Sequence, residues 1–393
     1  MSDSCEGLGG SDGAVVVDMK NFRYFSIDPV THIATIGAGT PLQDVTRQLH
    51  DAGGRAMAHG TCPSIGIGGH ATIGGQGPTS RMWGMALDHI LEAEVVLANS
   101  TTILASATKN PDVLFAIKGA GASFGIVTEF KVRTEPAPGS AVQYSYTFNL
   151  GEARSNADLF KEWQPLISDP TLSRKFASVF TVSHNSIVVS GTYFGTKAEF
   201  DAFQLENRFP SSNRSSAVEF TNWKGLVAHW GEEVFLQLIT DVPTWFYSKS
   251  LSFSPQALIP TSGIDALFQY LTNQTSGTPT WFVIFNLVGG AINDVHTNAT
   301  AYAHRNSLYW MQSYAVTVGR VSQTTIDFLN GINNLIAASL PGTNFGAYPG
   351  YIDPRLSDSQ LAYWGSNLPQ LRQIKATIDP TDVFHNPQSV VPA

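Results

Sequence analysis

A dense glycine run encloses one cysteine in this chain: His59-Gly60-Thr61-Cys62-Pro63-Ser64-Ile65-Gly66-Ile67-Gly68-Gly69-His70, continued by Gly74-Gly75-Gln76-Gly77. Without side chains, such a run lets main-chain N–H groups come close to a flat or anionic ligand, and a thiol placed among them can bond to it. The pattern predicts a covalently held cofactor at Cys62.

Composition narrows the partners of that loop. With 393 residues, 43% of them hydrophobic, the chain buries a large core and is expected to divide into two domains. The net charge of −8 and 14% charged residues leave no basic face, so nucleic acid is not an expected partner. There is no uninterrupted apolar stretch of spanning length, so no membrane span is expected. The two cysteines, Cys5 and Cys62, do not make a disulfide framework, and a single Cys5–Cys62 bridge is the less favoured alternative. No spaced His/Cys/carboxylate cluster points to a metal. The sequons beginning at Asn99, Asn213, Asn273 and Asn298 fit a secreted glycoprotein, whereas Met1-Ser2-Asp3-Ser4-Cys5-Glu6 has neither the basic nor the apolar region of an export signal.

Residues 14–19 and 32–39 read as strands, and 41–51 as a helix with Leu42, Val45 and Leu49 on one face. Beyond the cysteine loop, 91–97 and 102–105 read as a hairpin, 111–117 as a helix, and a second glycine-rich loop, Gly119-Ala120-Gly121-Ala122-Ser123-Phe124-Gly125, as the lead into a strand over 126–132. Glu135-Pro136-Ala137-Pro138-Gly139 reads as the linker to a middle region. There, strand-like 178–182, 186–193 and 281–290 alternate with helix-like 197–206, 264–271 and 325–336, the pattern of an α+β domain with helices on an antiparallel sheet. The tail holds Ala347-Tyr348-Pro349-Gly350-Tyr351-Ile352-Asp353, a helix over 360–377, and the run from Asp379 to Val390.

Three motifs in order, the loop 59–77, the run 114–127 and the ending Pro380-Thr381-Asp382-Val383-Phe384-His385-Asn386-Pro387-Gln388-Ser389-Val390, resemble the FAD-linked oxidases of the vanillyl-alcohol oxidase superfamily, with a PCMH-type FAD-binding domain. Within it the chain is most similar to the berberine-bridge-enzyme-like group, fungal glucooligosaccharide oxidases in particular. The resemblance implies an α+β fold with an FAD domain built from 1–138 and 345–393, incomplete at its start, around a substrate domain over 139–344. It implies FAD joined through flavin C6 to Cys62. It places His59, Gly60, Thr61, Pro63, Ile65, Gly66, Gly68, Gly69 and His70 around the ring and ribityl chain, Gly121, Phe124, Gly125, Ile126 and Val127 on the adenine and ribose side, and Asn386 and Gln388 near the ring.

The implied reaction is oxidation of an alcohol or hemiacetal of a carbohydrate-like or secondary-metabolite small molecule, with hydride passing to flavin N5 and oxygen as the electron acceptor. Tyr351 matches the group's catalytic base. Its ordinary pKa near ~10 means the phenolate needs stabilising neighbours. Asn286 stands where the group often carries an aspartate that assists that tyrosine, and an amide can hydrogen-bond but not accept the proton. Tyr348, Tyr247 and Lys249 are expected around the substrate, with ordinary core and salt-bridge roles as the alternatives. Ile65 replaces the valine associated with oxidase behaviour, which keeps a dehydrogenase with another acceptor open. The group's Arg-Ser-Gly-Gly-His-Ser-like segment, with its second flavin tether, has no counterpart, so a truncated, non-catalytic homologue is the competing expectation. A monomer is expected.

Overall fold

Two antiparallel sheets organise the computed structural model, which describes residues 15–209, 211–233 and 245–393. The first core forms around β1 (Phe25–Ile27), β2 (Ala34–Gly37), the short β3 (Arg55–Ala56), β4 (Ile90–Val96), β5 (Thr102–Ser106) and β6 (Ile126–Val132). All but β3 make a five-stranded sheet ordered β1-β2-β6-β4-β5. Against it packs the helix Leu42–Asp51, whose Leu42, Val45 and Leu49 are buried as their spacing demands. The helices Ile67–Ile73 and Pro111–Ala120 complete the layer.

The linker expected at 135–139 is built into the fold instead. β7 (Glu135–Pro136) pairs with β3, and Ala137 donates its N–H to Gly54. From there the chain enters a seven-stranded antiparallel sheet made of β8 (Ala141–Asn149), β9 (Val179–Ser183), β10 (Ser186–Tyr193), β11 (Arg214–Phe220), β12 (Trp245–Phe253), β13 (Trp281–Leu287) and β14 (Tyr309–Thr317), in the order β11-β8-β10-β9-β13-β14-β12. Alternation along β13 is regular: Trp281, Val283, Phe285 and Leu287 are buried, while Phe282, Ile284 and Asn286 between them are partly open. The buried face meets the helices Ala153–Ser168, Thr261–Asn273 and Gln323–Ser339 in an aromatic core, with the Phe160 and Phe285 rings 4.5 Å apart and Phe253 stacked on Tyr309 at 4.6 Å.

The sheets are joined by buried polar contacts as well as apolar ones. Arg305 grips Asp88 with both terminal nitrogens at 2.8 and 2.9 Å, with almost no solvent at either side chain. Arg81 reaches the Val288 carbonyl at 2.5 Å. Val288, Ile292, Ala301, Tyr302 and Trp310 pack in the first core, although the sequence reading put their segment in the middle domain.

Three local expectations are corrected. Residues 15–18 form no strand, and Val15, Val16 and Val17 are 88%, 72% and 53% exposed with no sheet to bury them. The helix expected over 197–206 is two pieces, Lys197–Asp201 and Leu205–Arg208, interrupted where Gln204 takes a left-handed conformation. The helix expected over 360–377 is likewise split into Ser359–Trp364 and Leu368–Ile378, with Gly365 at φ +47° between them. Cys5 and the 7–13 segment lie outside the described residues. Among the described residues no helix is long and apolar enough to cross a membrane, and no His/Cys/Asp/Glu group could hold a metal.

Candidate functional site

The cysteine loop is fixed by main-chain bonds at its ends. Leu42 and Gln43, in the first turn of Leu42–Asp51, donate their N–H groups to the carbonyls of Ile65 and Pro63, and Ile67 and Gly68 donate to Thr40 and Ala38. The same loop therefore caps one helix and, immediately afterwards, begins the helix Ile67–Ile73. Between these ends the Gly60 N–H donates to Nε2 of His70 at 2.8 Å. An imidazole that accepts there carries its proton on Nδ1 and is neutral, and burial pushes its pKa down to about 3.

His59 is held within the loop and also lines the cleft beside it. It is 3% exposed, with Nε2 on the Thr46 hydroxyl at 2.8 Å and Nδ1 on the Gly60 carbonyl at 2.7 Å. Both ring nitrogens are used, which fixes the ring against the loop and the helix Leu42–Asp51.

The glycines sort into two kinds. A Cβ on Gly68 would stand 2.7 Å from the Ala38 carbonyl oxygen, and one on Gly77 would overlap the His59 carbonyl, so these positions are small because backbone passes backbone. A Cβ on Gly66 or Gly69 would meet nothing within 4 Å. Close packing does not account for glycine at these two positions. Thr40 beside them is 2% exposed and its hydroxyl finds no partner among the described residues. Cys62 and Ile65 are half-buried on the same loop, with Thr61 and Pro63. Gly60, Thr61 and Pro63 also border a cleft of about 380 Å³ between the helices Leu42–Asp51 and Trp223–Glu233.

A smaller cleft, about 60 Å³, gathers the three motifs: Ile73 from the glycine stretch, Gly119, Ala122 and Ser123 from the second loop, and Asn386 and Gln388 from the ending. Asn386 and Gln388 thus border one cleft with residues of both glycine-rich stretches. The second loop differs. Phe124 is fully buried, Val127 is 8% exposed, and a Cβ on Gly121 or Gly125 would strike Thr72 or Val95. The residues of this loop that line the cleft are Gly119, Ala120, Ala122 and Ser123, while Phe124 and Val127 turn into the core.

Lys375 holds this corner together. Its ammonium is fully buried and donates to the Ser123 carbonyl at 2.8 Å, the Phe384 carbonyl at 3.0 Å and Asp379 at 2.6 Å. Burial alone would raise the Asp379 carboxyl, but Lys375 and the N–H groups of Phe384 and Val383 outweigh it and hold it below the usual carboxylate range.

Tyr351 enters through its neighbour Tyr348. Gly75, at φ +81°, donates its N–H to the Tyr348 hydroxyl at 3.1 Å, and the Tyr348 and Tyr351 rings lie 5.0 Å apart. Tyr348 is 5% exposed and also packs on Trp310 and Tyr302, so it is closed to the substrate stacking expected of it. Asn286 pairs with Trp310 across β13 and β14, which puts both side chains on one face of that sheet, Trp310 buried against the first core and Asn286 half-buried within one residue of the tyrosine cluster.

Tyr247 and Lys249 are also turned away from the substrate role expected of them. Tyr247 is 4% exposed and donates its hydroxyl to Asp353 at 2.9 Å, and Lys249 binds the same carboxylate at 2.5 Å. Asp353 and Tyr363 are the partners that sequence reasoning did not single out. The one signal was Asp353 standing two residues after Tyr351.

The FAD binding domain model matches residues 2–106, and the berberine and berberine-like model matches residues 347–391. The FAD-linked oxidoreductase sorD of Penicillium rubens is 39% identical over 98% of this chain and 82% of its own length. The chain belongs to the berberine-bridge-like FAD-linked oxidoreductases. A xylooligosaccharide oxidase of Thermothelomyces thermophilus is 33% identical over 98% of the chain and 80% of its length. Among solved structures, the xylooligosaccharide oxidase from Myceliophthora thermophila in complex with xylobiose superimposes with a TM-score of 0.86 at 30% identity, over 95% of this chain and 81% of that one. A glucooligosaccharide oxidase from Acremonium strictum, described with a 6-S-cysteinyl, 8α-N1-histidyl FAD, gives 0.85 at 29% identity, over 96% of this chain and 82% of that one. Membership makes this chain an FAD-dependent oxidoreductase with the PCMH-type fold.

Proposed function

We propose that the chain oxidises an alcohol or hemiacetal carbon of a carbohydrate-like small molecule, with Tyr351 as the base, Cys62 as the covalent FAD tether and oxygen as the electron acceptor. The observation that carries this reading is the join of Gly75 to Tyr348 and of Tyr348 to Tyr351, which sets the base one ring away from the end of the Cys62 glycine stretch. FAD, when bound, supplies the hydride acceptor. Gly66 and Gly69, where a side chain would meet open space, His70, which accepts the Gly60 N–H, and the 119–123 loop, which shares its cleft with Asn386 and Gln388, are the residues that would hold it.

The protein's own part is to hold the substrate hydroxyl against Tyr351, take its proton on the phenol oxygen, and keep water away with the Tyr348, Trp310 and Tyr302 rings. Asn286 assists by hydrogen bonding only, so the base is weaker than one backed by a carboxylate.

A second reading, a less polar secondary-metabolite alcohol, is favoured by the open face itself. Phe282 and Ile284 share that face with Asn286, opposite Tyr314 and Gln312, and Phe246 packs on Tyr314 at 5.3 Å. Apolar rings and a branched chain serve a flat organic body better than a row of sugar hydroxyls, each of which needs a polar partner. Export and glycosylation are part of the same proposal: Asn99, Asn213, Asn273 and Asn298 are all exposed.

The test is peroxide release by the FAD-supplied chain on a panel of xylo-, gluco- and chito-oligosaccharides beside apolar allylic and benzylic alcohols. Turnover that vanishes in Tyr351→Phe supports the reading, and turnover untouched by that change overturns it. The arm of the panel that responds decides between the two substrate classes.

A further inference from the structure

The segment 348–353, which carries Tyr351, wraps around the edge of the substrate sheet. β12 is the last strand in that sheet, and its neighbouring residues Lys249 and Ser250 project to opposite faces. Ser250 accepts the Tyr348 N–H at 2.9 Å on one face. Lys249 and Tyr247 hold the Asp353 carboxylate at 2.5 and 2.9 Å on the other. Just before these anchors the strand's own Ser252 N–H donates to the Gly346 carbonyl at 3.1 Å, so the chain covers an edge that would otherwise stay unpaired.

A third anchor comes from the end of the chain. The Asp353 N–H donates to the Tyr363 hydroxyl at 3.1 Å, that hydroxyl donates to Gln388 Oε1 at 2.8 Å, and Gln388 Nε2 returns to the Asp353 carbonyl. Asp353 is 2% exposed, so its charge is held by Lys249, Tyr247 and the Arg355 N–H with little help from water.

We propose that Asp353 is a positioning residue for Tyr351, acting through a clamp with Lys249 and Tyr247. The inference rests on Tyr351 being the base. A buried ion pair contributes little net stability but admits few geometries, and a base must sit within hydrogen-bond reach of the proton it takes. Tyr351 lies two residues before one anchor and three after the other. Asp353 therefore sets where the phenol stands, while Gln388 ties that placement to the cleft shared with the glycine loops.

The experiment uses the full chain supplied with FAD, as wild type, Asp353→Asn, Lys249→Met, Lys249→Arg and Tyr351→Phe. Hydrogen exchange of the Gly350, Tyr351 and Ile352 amides is followed, with steady-state oxidation of cellobiose. The clamp predicts exchange faster by at least about tenfold in Asp353→Asn and Lys249→Met, with β4 and β6 unchanged and Lys249→Arg close to wild type. It also predicts that kcat falls by about tenfold or more while KM stays within roughly threefold. A purely structural aspartate would lower the melting temperature without separating kcat from KM. If Asp353→Asn does not fold, Lys249→Met, which keeps the carboxylate and its Tyr247 and main-chain bonds, decides.

Unchanged exchange and kcat in the clamp variants, beside an inactive Tyr351→Phe, overturn the clamp and leave the base standing. An active Tyr351→Phe overturns the base instead. Absence of wild-type turnover on cellobiose counts against the carbohydrate reading, and the exchange data then decide the clamp alone.

Discussion

The Gly60 N–H donates to Nε2 of His70 at 2.8 Å, closing the loop around Cys62 with a histidine ten residues further along the chain. That bond exists only while His70 is neutral. Burial keeps it so, holding the pKa near 3, and His89, which accepts the Ala58 N–H through its own Nε2, is buried and likewise pushed down to about 3.

Acid therefore acts on the loop before it acts on most of the core. Below the ordinary histidine pKa the unfolded chain takes up protons that folded His70 and His89 refuse, so stability falls as pH drops from about 6.5 towards 3, by up to about 1.4 kcal/mol per pH unit for each histidine. Melting temperatures measured across this range decline, and more shallowly in His70→Gln, whose amide oxygen can still accept from Gly60. An identical slope in His70→Gln would remove His70 from the account.

Gly68 and Gly69 are adjacent and behave oppositely. Gly68→Ala drives a methyl against the Ala38 carbonyl at 2.7 Å and destabilises by about 1–3 kcal/mol. Gly69→Ala meets open space, so its melting temperature stays at the wild-type value while flavin retention falls. Calorimetry with flavin absorbance after gel filtration reads both. Full flavin in Gly69→Ala would move the cofactor away from this position.

Lys375→Met leaves Asp379 buried without its cation. The cost is about 3–5 kcal/mol in denaturant unfolding, with the 119–123 loop loosened because the Ser123 anchor goes with it. A loss below about 1 kcal/mol would mean that water reaches this corner.

Tyr351→Phe removes the phenol and leaves the ring that packs on Tyr348. Rates of flavin reduction by substrate fall by about 10²–10⁴-fold, the usual contribution of a general base, with flavin content unchanged. Restoring a carboxylate with Asn286→Asp raises the rate in otherwise native protein, and no gain would place Asn286 outside the proton path.

Much of this site was legible because the motifs are local. The Cys62 loop, the helix after Pro41 and strand β6 follow from spacing and glycine density within a few residues. The roles of His59, Tyr348, Tyr247 and Lys249 were not, since each depends on a partner from a distant part of the chain: Thr46 beneath the loop, Gly75 across the domain, and Asp353 at the far side of a sheet edge. Phe124 and Val127 illustrate the same limit. A motif marks a glycine-rich loop, but the packing around it decides which of its residues turn inward.

The direct test of the central claim is whether flavin stays with the chain after denaturation. FAD-supplied wild-type protein, precipitated with acid and washed, retains flavin absorbance in the redissolved polypeptide, and Cys62→Ala releases it to the supernatant while still folding. Release from wild type as complete as from Cys62→Ala would contradict the covalent attachment at Cys62.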